Sequence, residues 1–111
     1  MSLGISLKSE PVRSLGFASV GAVYAGIGTS LSRPARIFMI QNLLNTDVMI
    51  SFNGIEDHFP LPTSGFVLMD VSSNQSNMQG FYIAEGTRFY VKQLTGAATQ
   101  GSIYLTVFYG E

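Results

Sequence analysis

The chain reads as a succession of short strand-like segments separated by turn residues, and this pattern runs from residue 36 to residue 109. Each segment is apolar or alternates apolar with polar residues, and clusters of Asn, Gly, Pro and Ser divide one segment from the next. A period of two residues is typical of β-strands, because successive side chains point to opposite faces of a sheet. The pattern therefore predicts an all-β fold without a convincing helix.

Individual strands can be placed from these segments. We predict strands at residues 12–17, 22–27, 36–42, 48–52, 57–61, 66–71, 81–84, 88–93 and 102–109. Many short strands at this spacing indicate a β-sandwich or barrel, and the number fits a two-sheet jelly roll. We therefore predict a single-domain, jelly-roll-like β-sandwich of about eight strands, occupying residues 12–111.

Turn residues predict how some of these strands pair. Asn53-Gly54 predicts a type I′ hairpin turn, which needs positive φ at both positions. Pro60 and Pro62 place the strand at 57–61 on a sheet edge, since proline cannot donate to the ladder. Glu85-Gly86-Thr87 predicts a second hairpin, between residues 81–84 and 88–93.

Residues 1–11 are expected to form an extended N-terminal arm. Its apolar residues Met1, Leu3, Ile5 and Leu7 alternate with Ser2, Gly4, Ser6 and Lys8 before Pro11 ends the pattern. One interpretation is a frayed tail or a modest edge strand. The other is an arm that adds to the sheet edge of a neighbouring subunit.

The composition offers little to an enzyme. The 111 residues contain one histidine, no cysteine and no tryptophan, with six Lys and Arg and seven Asp and Glu. Catalysis at neutral pH depends on positioned titratable groups or a metal, so we predict that the chain is not an enzyme and binds neither metal nor cofactor. A charged share of 12% is about half of the ~25% usual in soluble domains, which favours a protein docked on a partner.

The histidine is the first alternative to weigh. In Glu56-Asp57-His58, adjacent strand residues point to opposite faces, so only Glu56 and His58 could share an ion, and two ligands are too few for a structural zinc site. A serine nucleophile would lack a Gly-x-Ser-x-Gly elbow. His58 is therefore interpreted as a surface residue.

Four tyrosines are the second alternative. Aromatic faces suit sugars, so Tyr82, Tyr90, Tyr104 and Tyr109 could form a carbohydrate-binding platform. The amphipathic ring of tyrosine equally suits core and interface packing, and we favour that use.

Charge is unevenly distributed along the chain. Residues 1–36 hold Lys8, Arg13, Arg33 and Arg36 against Glu10, a balance of +3, and the remainder has a balance of −4. We predict that Arg13, Arg33 and Arg36, with the apolar residues of the arm, contact an acidic partner. A net charge of −1 argues against nucleic acid, and no stretch is long and apolar enough to predict a membrane span or a signal peptide.

Three segments carry a resemblance to a known family. Residues 36–42, 50–59 and 86–92 resemble small virion proteins of tailed bacteriophages, in particular the capsid decoration proteins, also called stapling or cement proteins. The resemblance extends from Val12 to Gly110. It implies a jelly-roll-like fold bound to the exterior of the phage head, and it brings no active site with it.

The same resemblance implies the partners. Decoration proteins clamp neighbouring capsomers of a shell built from an HK97-type major capsid protein, often as dimers or trimers, and we expect a homo-oligomer with a dimer favoured. Similar β-sandwiches also serve as neck, collar and tail-fibre adaptor proteins. That role, and a carbohydrate-binding module, are the two alternative functions.

Overall fold

The computed structural model of the protein describes residues 7–70, 83–84 and 86–110. These residues form nine β-strands and one 3₁₀ turn, Phe17–Ser19. The strands are β1 (Leu7–Ser9), β2 (Arg13–Gly16), β3 (Ala25–Gly26), β4 (Ile37–Asn42), β5 (Val48–Ser51), β6 (Phe59–Leu61), β7 (Phe66–Asp70), β8 (Tyr90–Gln93) and β9 (Ser102–Gly110). The prediction of an all-β single domain is confirmed, with nine described strands where about eight were expected. No helix in the described ranges has the length and hydropathy needed to cross a bilayer.

The strands form two antiparallel sheets. The first sheet has the order β1–β9–β4–β7, with β2 also paired to β9, and the second has the order β3–β8–β5–β6. Pairing is nested along the chain: β5 pairs with β6, β4 with β7, β3 with β8 and β2 with β9. The two halves of the chain therefore contribute strands to both sheets.

Alternation along the strands builds the core between the sheets. In β9, Ile103, Leu105 and Val107 are fully buried, whereas Tyr104 and Thr106 are half-exposed. Beside it in β4, Phe38 and Ile40 are buried and face the same way. This is the predicted alternation of residues 102–109, and it directs every second side chain inward.

An aromatic cluster closes one part of this core. Phe38 of the first sheet lies 5.1 Å from Phe89, measured between ring centroids, and Phe89 lies 5.2 Å from Phe52. The rings of Phe52 and Phe89 meet edge to face, an arrangement that aromatic pairs prefer over a flat stack. These contacts join the two sheets across the core.

The predicted hairpin between residues 81–84 and 88–93 is wrong. Ile83 forms an isolated bridge with Ala35, and β8 pairs with β5 and β3 instead. Residues 81, 82 and 85 lie outside the described residues. The physical reason is that β8 lies between β3 and β5, so both of its edges are occupied and neither is left for residues 81–84.

The turn at Asn53-Gly54 also differs from the prediction. Gly54 has a φ of +76°, but Asn53 is not among the residues with positive φ, so this is not a type I′ turn. The side-chain Oδ1 of Asn53 accepts hydrogen bonds from the backbone N–H groups of Ile55 and Glu56, and this stabilises a wider loop. β6 then pairs with β5 at the edge of the second sheet, as Pro60 predicted.

Candidate interaction surface

The last part of the predicted arm is a strand of the protein's own sheet. Leu7–Ser9 pair with β9, with Leu7 opposite Gly110 and Ser9 opposite Phe108. Glu10 continues this contact, its backbone N–H donating to the carbonyl of Val107 at 3.0 Å. Met1, Leu3 and Ile5 lie outside the described residues. The described part of the predicted arm therefore pairs within the protein itself.

Arg13 is buried, which corrects its predicted role as a surface cation. Its side chain is 8% exposed, and its Nη2 donates to Oε1 of Glu10 at 2.7 Å, where the Glu10 side chain is 4% exposed. Nε and Nη2 also donate to the backbone carbonyls of Thr29 and Ser30. A guanidinium held this way joins β2 to the loop before β4 and is unavailable to a partner's carboxylate.

A signal for this burial is present in the sequence. Arg13 and Leu15 are two residues apart, so a strand through both residues places their side chains on the same face. Glu10 lies three residues before Arg13, and the break at Pro11 turns its side chain toward the guanidinium. The sequence prediction weighted the net charge of the region and missed this internal neutralisation.

The two remaining predicted arginines lie at one end of β9. The guanidinium carbon of Arg33 sits 4.7 Å above the centroid of the Tyr109 ring, and Arg33 is exposed. The half-buried Arg36 donates its backbone N–H to the carbonyl of Phe108 at 2.9 Å. Lys8, in β1, is exposed and opposite Tyr109. We call the surface formed by Lys8, Arg33 and Arg36 the basic corner.

The basic corner also lies beside the first described residue of the predicted arm. Leu7, the first described residue, is opposite Gly110 and thus next to the positions that contact Arg33 and Arg36. Glu10, two residues after Lys8, is buried and paired with Arg13, and Asp70 is opposite Ile37, the residue after Arg36. The structure therefore places Leu7, the described end of the predicted arm, near Arg33 and the backbone of Arg36.

The outer face of the first sheet is a second candidate surface. It presents uncharged side chains in two rows across strands β7, β4 and β9. The rows are Phe66, Gln41 and Tyr104, followed by Leu68, Met39 and Thr106. Phe66 is 66% exposed and Leu68 is 60% exposed. An exposed apolar face of this kind is typical of a surface that contacts other molecules.

The opposite face of the sandwich carries a polar cluster that the sequence did not predict. The hydroxyl of Tyr24 donates to Oδ1 of Asp57 at 2.5 Å, and Nζ of Lys92 lies 3.2 Å from the same oxygen. Lys92 also lies 4.8 Å above the Tyr24 ring. These contacts connect the loop before β3 and the loop before β6 to strand β8.

The cluster changes two pKa values. Burial, together with the hydrogen bond and negative charge of Asp57, raises the pKa of Tyr24 from 10.0 to about 12. The hydrogen bond from Tyr24, and then that from Lys92, lower the pKa of Asp57. Both hydrogen-bond partners of the Asp57 carboxylate favour its charged form. The cluster therefore keeps Asp57 ionised and holds the three segments together.

The tyrosines do not form one platform. Tyr90 is on the outer side of the second sheet, beside Gly26 and Ser51, whereas Tyr104 is on the outer face of the first sheet. Tyr109 is 8% exposed, and Tyr82 lies outside the described residues. The described tyrosines therefore offer no shared stacking surface for a sugar.

His58 is held as a structural residue of the loop before β6. Its Nδ1 accepts the backbone N–H of Phe52 at 3.0 Å, and its ring packs 5.2 Å from the Phe52 ring. Oε1 of Glu56, its proposed co-ligand, accepts a hydrogen bond from Asn53. Within residues 7–70, 83–84 and 86–110, no three His, Cys, Asp or Glu residues are grouped to hold a metal ion.

Comparison with known proteins gives a structural likeness. No protein-family model and no curated protein sequence matches the chain. Among solved structures, the chain is similar to a protein of the Bacillus endospore appendages, described as a novel family of disulfide-linked pili. The TM-score is 0.50 with 15% sequence identity, over 96% of this chain and 90% of that one. At this identity, the likeness bears on the fold and not on the function.

Proposed function

We propose that the protein is a non-enzymatic structural protein of a tailed-bacteriophage virion, where it decorates and reinforces the exterior of the head. The position of Leu7 beside Arg33 and Arg36 at the basic corner supports this proposal most directly. An N-terminal segment beside basic residues can bind a coat protein by main-chain hydrogen bonds and by charge together. The partner is the major capsid protein, of HK97 type.

The strand order supports the jelly-roll part of the proposal. If β1 and β2 are counted as one interrupted strand along β9, the chain forms two four-stranded sheets whose pairing is nested about the β5–β6 hairpin. A jelly roll consists of eight strands in two such sheets. In this description, the basic corner lies at one end of the sheet that contains Leu7 and Gly110, the first and last described residues.

Reinforcement follows from mass action. A protein that binds the assembled shell and not its separated parts stabilises the shell by its binding free energy. A homo-oligomer with two arms gains further, because the first contact raises the effective concentration of the second. Modest contacts at each basic corner are therefore sufficient for a clamp between capsomers.

The proposal predicts that the basic corner is required for binding to the head. Shells of the source phage stripped of this protein are incubated with purified variants and sedimented. We expect the variant lacking residues 1–6, and the double variant Arg33→Glu with Arg36→Glu, to lose most binding; for the wild type, binding weakens as salt is raised. Residues 7–10 are retained because they pair with β9.

Arg88→Glu is the matched control, since Arg88 is exposed, precedes β8 of the second sheet and donates to the carbonyl of Gly28. It should bind like the wild type. Full binding by both basic-corner variants would contradict the proposed surface. The copy number of the wild-type protein per virion tests the alternative role. A copy number that matches the neck, and not the shell lattice, would favour a neck or tail-fibre adaptor protein.

A filament subunit is the second candidate, since the solved structure with a similar fold belongs to appendages described as pili. That neighbour is described as disulfide-linked, whereas these 111 residues contain no cysteine, so a polymer of this chain would be held by non-covalent contacts. Electron microscopy of concentrated protein tests this candidate: fibres would favour it, and discrete particles would favour the decoration protein.

A further inference from the structure

The exposed edges of the two sheets differ in how they are protected against pairing. Edge strands commonly carry proline, breaks or short lengths that prevent association with other chains. β6 contains Pro60, β3 is two residues long, and the edge formed by β1 and β2 is interrupted at Pro11. β7 has five residues, Phe-Val-Leu-Met-Asp, with neither proline nor lysine, and it pairs with β4 without a bulge.

The backbone groups of β7 that point away from β4 can be assigned. The N–H of Asn42 donates to the carbonyl of Gly65 at 2.9 Å, so this opposed pair is a hydrogen-bonded one. Such pairs alternate along an antiparallel ladder, and therefore Val67 and Met69 bond to β4. The N–H and C=O groups of Phe66 and Leu68 point outward, and no strand in the described part of the chain pairs with them.

We propose that two copies of the protein associate through β7, in antiparallel register about a two-fold axis, so that their first sheets become one continuous sheet. An antiparallel strand is complementary to itself, which makes a second copy the natural occupant. In a register with Phe66 opposite Leu68, or with Leu68 opposite itself, the outward groups of both chains meet as hydrogen-bonded pairs. This surface lies at the opposite edge of the sheet from the basic corner.

The side chains of β7 support the same pairing. Phe66 and Leu68 both lie on the outer face, so either register places an aromatic or aliphatic residue beside an exposed aliphatic one from the partner. Such cross-strand pairs are favourable, and like charges directly opposite are not. The two Asp70 positions fall at opposite ends of the paired strands, where they do not oppose one another.

The association is measured on the free protein by sedimentation velocity over a concentration series. We expect the wild type to reach the mass of two chains, and Leu68→Lys to weaken association at least about tenfold because lysine is a residue that blocks edge pairing. Ile55→Lys is the matched control, since Ile55 is 82% exposed in the loop before β6. A wild type of one-chain mass at its highest soluble concentration overturns the proposal.

Hydrogen exchange gives a second readout that does not depend on a variant. The amides of Phe66 and Leu68 should exchange more slowly as the protein concentration rises, while those of Val67 and Met69 stay protected by β4 at every concentration. A dimer in which the exchange of Phe66 and Leu68 is independent of concentration overturns the proposed surface. Because no shell is present in either experiment, failure of head binding leaves these results unaffected.

Discussion

At the scale of single residues, Tyr24 and Asp57 are the side chains whose protonation the fold is expected to change. The pKa of Tyr24 is raised to about 12, so its contribution to stability is complete below pH 10.0 and is lost as the pH rises through about 12. The pKa of Asp57 is lowered, so its contribution is present above the usual carboxyl range and is lost as the pH falls through the lowered value.

Substitution of Asp57 should therefore move the titration of Tyr24. We expect Asp57→Asn to lower the pKa of Tyr24 without restoring it to 10.0, because burial is the largest cause of the shift. Ultraviolet absorbance against pH measures tyrosine ionisation, and Tyr24→Phe identifies the component that belongs to Tyr24. Glu56→Gln neutralises a neighbouring carboxylate in the same loop and should leave the pKa of Tyr24 unchanged. If Asp57→Asn also left the pKa of Tyr24 unchanged, the proposed interaction of Tyr24 with Asp57 would be refuted.

Residue types alone predicted only part of the candidate site. Arg33 and Arg36 were predicted from charge, and the structure places them beside Tyr109 and Phe108. Arg13 was wrongly predicted to be a surface contact, because the count of formal charges does not show that a carboxylate lies nearby. The one sign of its burial in the sequence is its position two residues before Leu15, on the same strand face. Tyr24, Asp57 and Lys92 were missed because they come from three separate segments, so no local spacing reports their contact.

At the scale of elements, the end of β4 is fixed by a buried amide. Asn42 has no exposed surface; its Nδ2 donates to the carbonyls of Thr46 and Leu61, and its Oδ1 accepts the N–H of Leu44. Leu61 belongs to the second sheet, so this one side chain connects the end of a first-sheet strand to the opposite layer. Its three hydrogen bonds satisfy backbone groups that the turn leaves unpaired.

Removal of this amide should destabilise the sandwich. We expect Asn42→Ala to reduce the free energy of unfolding by roughly 2–3 kcal/mol, since buried backbone groups lose their partners. Urea denaturation followed by circular dichroism measures the change. The neighbouring Gln41→Ala, on the outer face of the same strand, serves as the control and should cost well under half as much; equal losses would contradict the assigned role.

Some strands and turns could be predicted from the sequence, and others could not. Alternation identified β9 and its inward residues, because burial on one face imposes the period directly, and β4 was identified as a central strand from a run that is apolar on both faces. The predicted pairing of residues 81–84 with 88–93 was wrong because both edges of β8 are taken by β3 and β5, which are distant in sequence, and a hairpin rule considers only adjacent segments. At Asn53, side-chain hydrogen bonds to the amides of Ile55 and Glu56 outweigh the propensity for positive φ. The Asn-Gly rule considers two residues only and therefore does not predict these bonds.

At the scale of the whole molecule, β9 is the strand on which the first sheet depends. It pairs with β1, β2 and β4, and its Ile103, Leu105 and Val107 face the core. Because the sheets draw strands from both halves of the chain, neither sheet can form from one half alone. The described domain is therefore expected to unfold as one cooperative unit.

A chain ending at Gly101 should consequently fail to fold. We expect it to lack the dispersed amide resonances and the β-sheet circular dichroism of the full protein. In the full protein, urea transitions followed by tyrosine fluorescence and by circular dichroism should coincide. A truncated chain that retains a native-like spectrum, or two separated transitions in the full protein, would show that the sheets fold independently.

The opposition of Leu7 and Gly110 has a practical consequence for handling the protein. Since Leu7 and Gly110 meet at one corner of the first sheet, a tag or displayed cargo joined at either of these residues would emerge at the same point. A bulky fusion there would sit beside Lys8, Arg33 and Arg36. The exposed Ile55, in the β5–β6 loop of the other sheet, is the better place for an insertion, and a short linker between Leu7 and Gly110 would permit circular permutants.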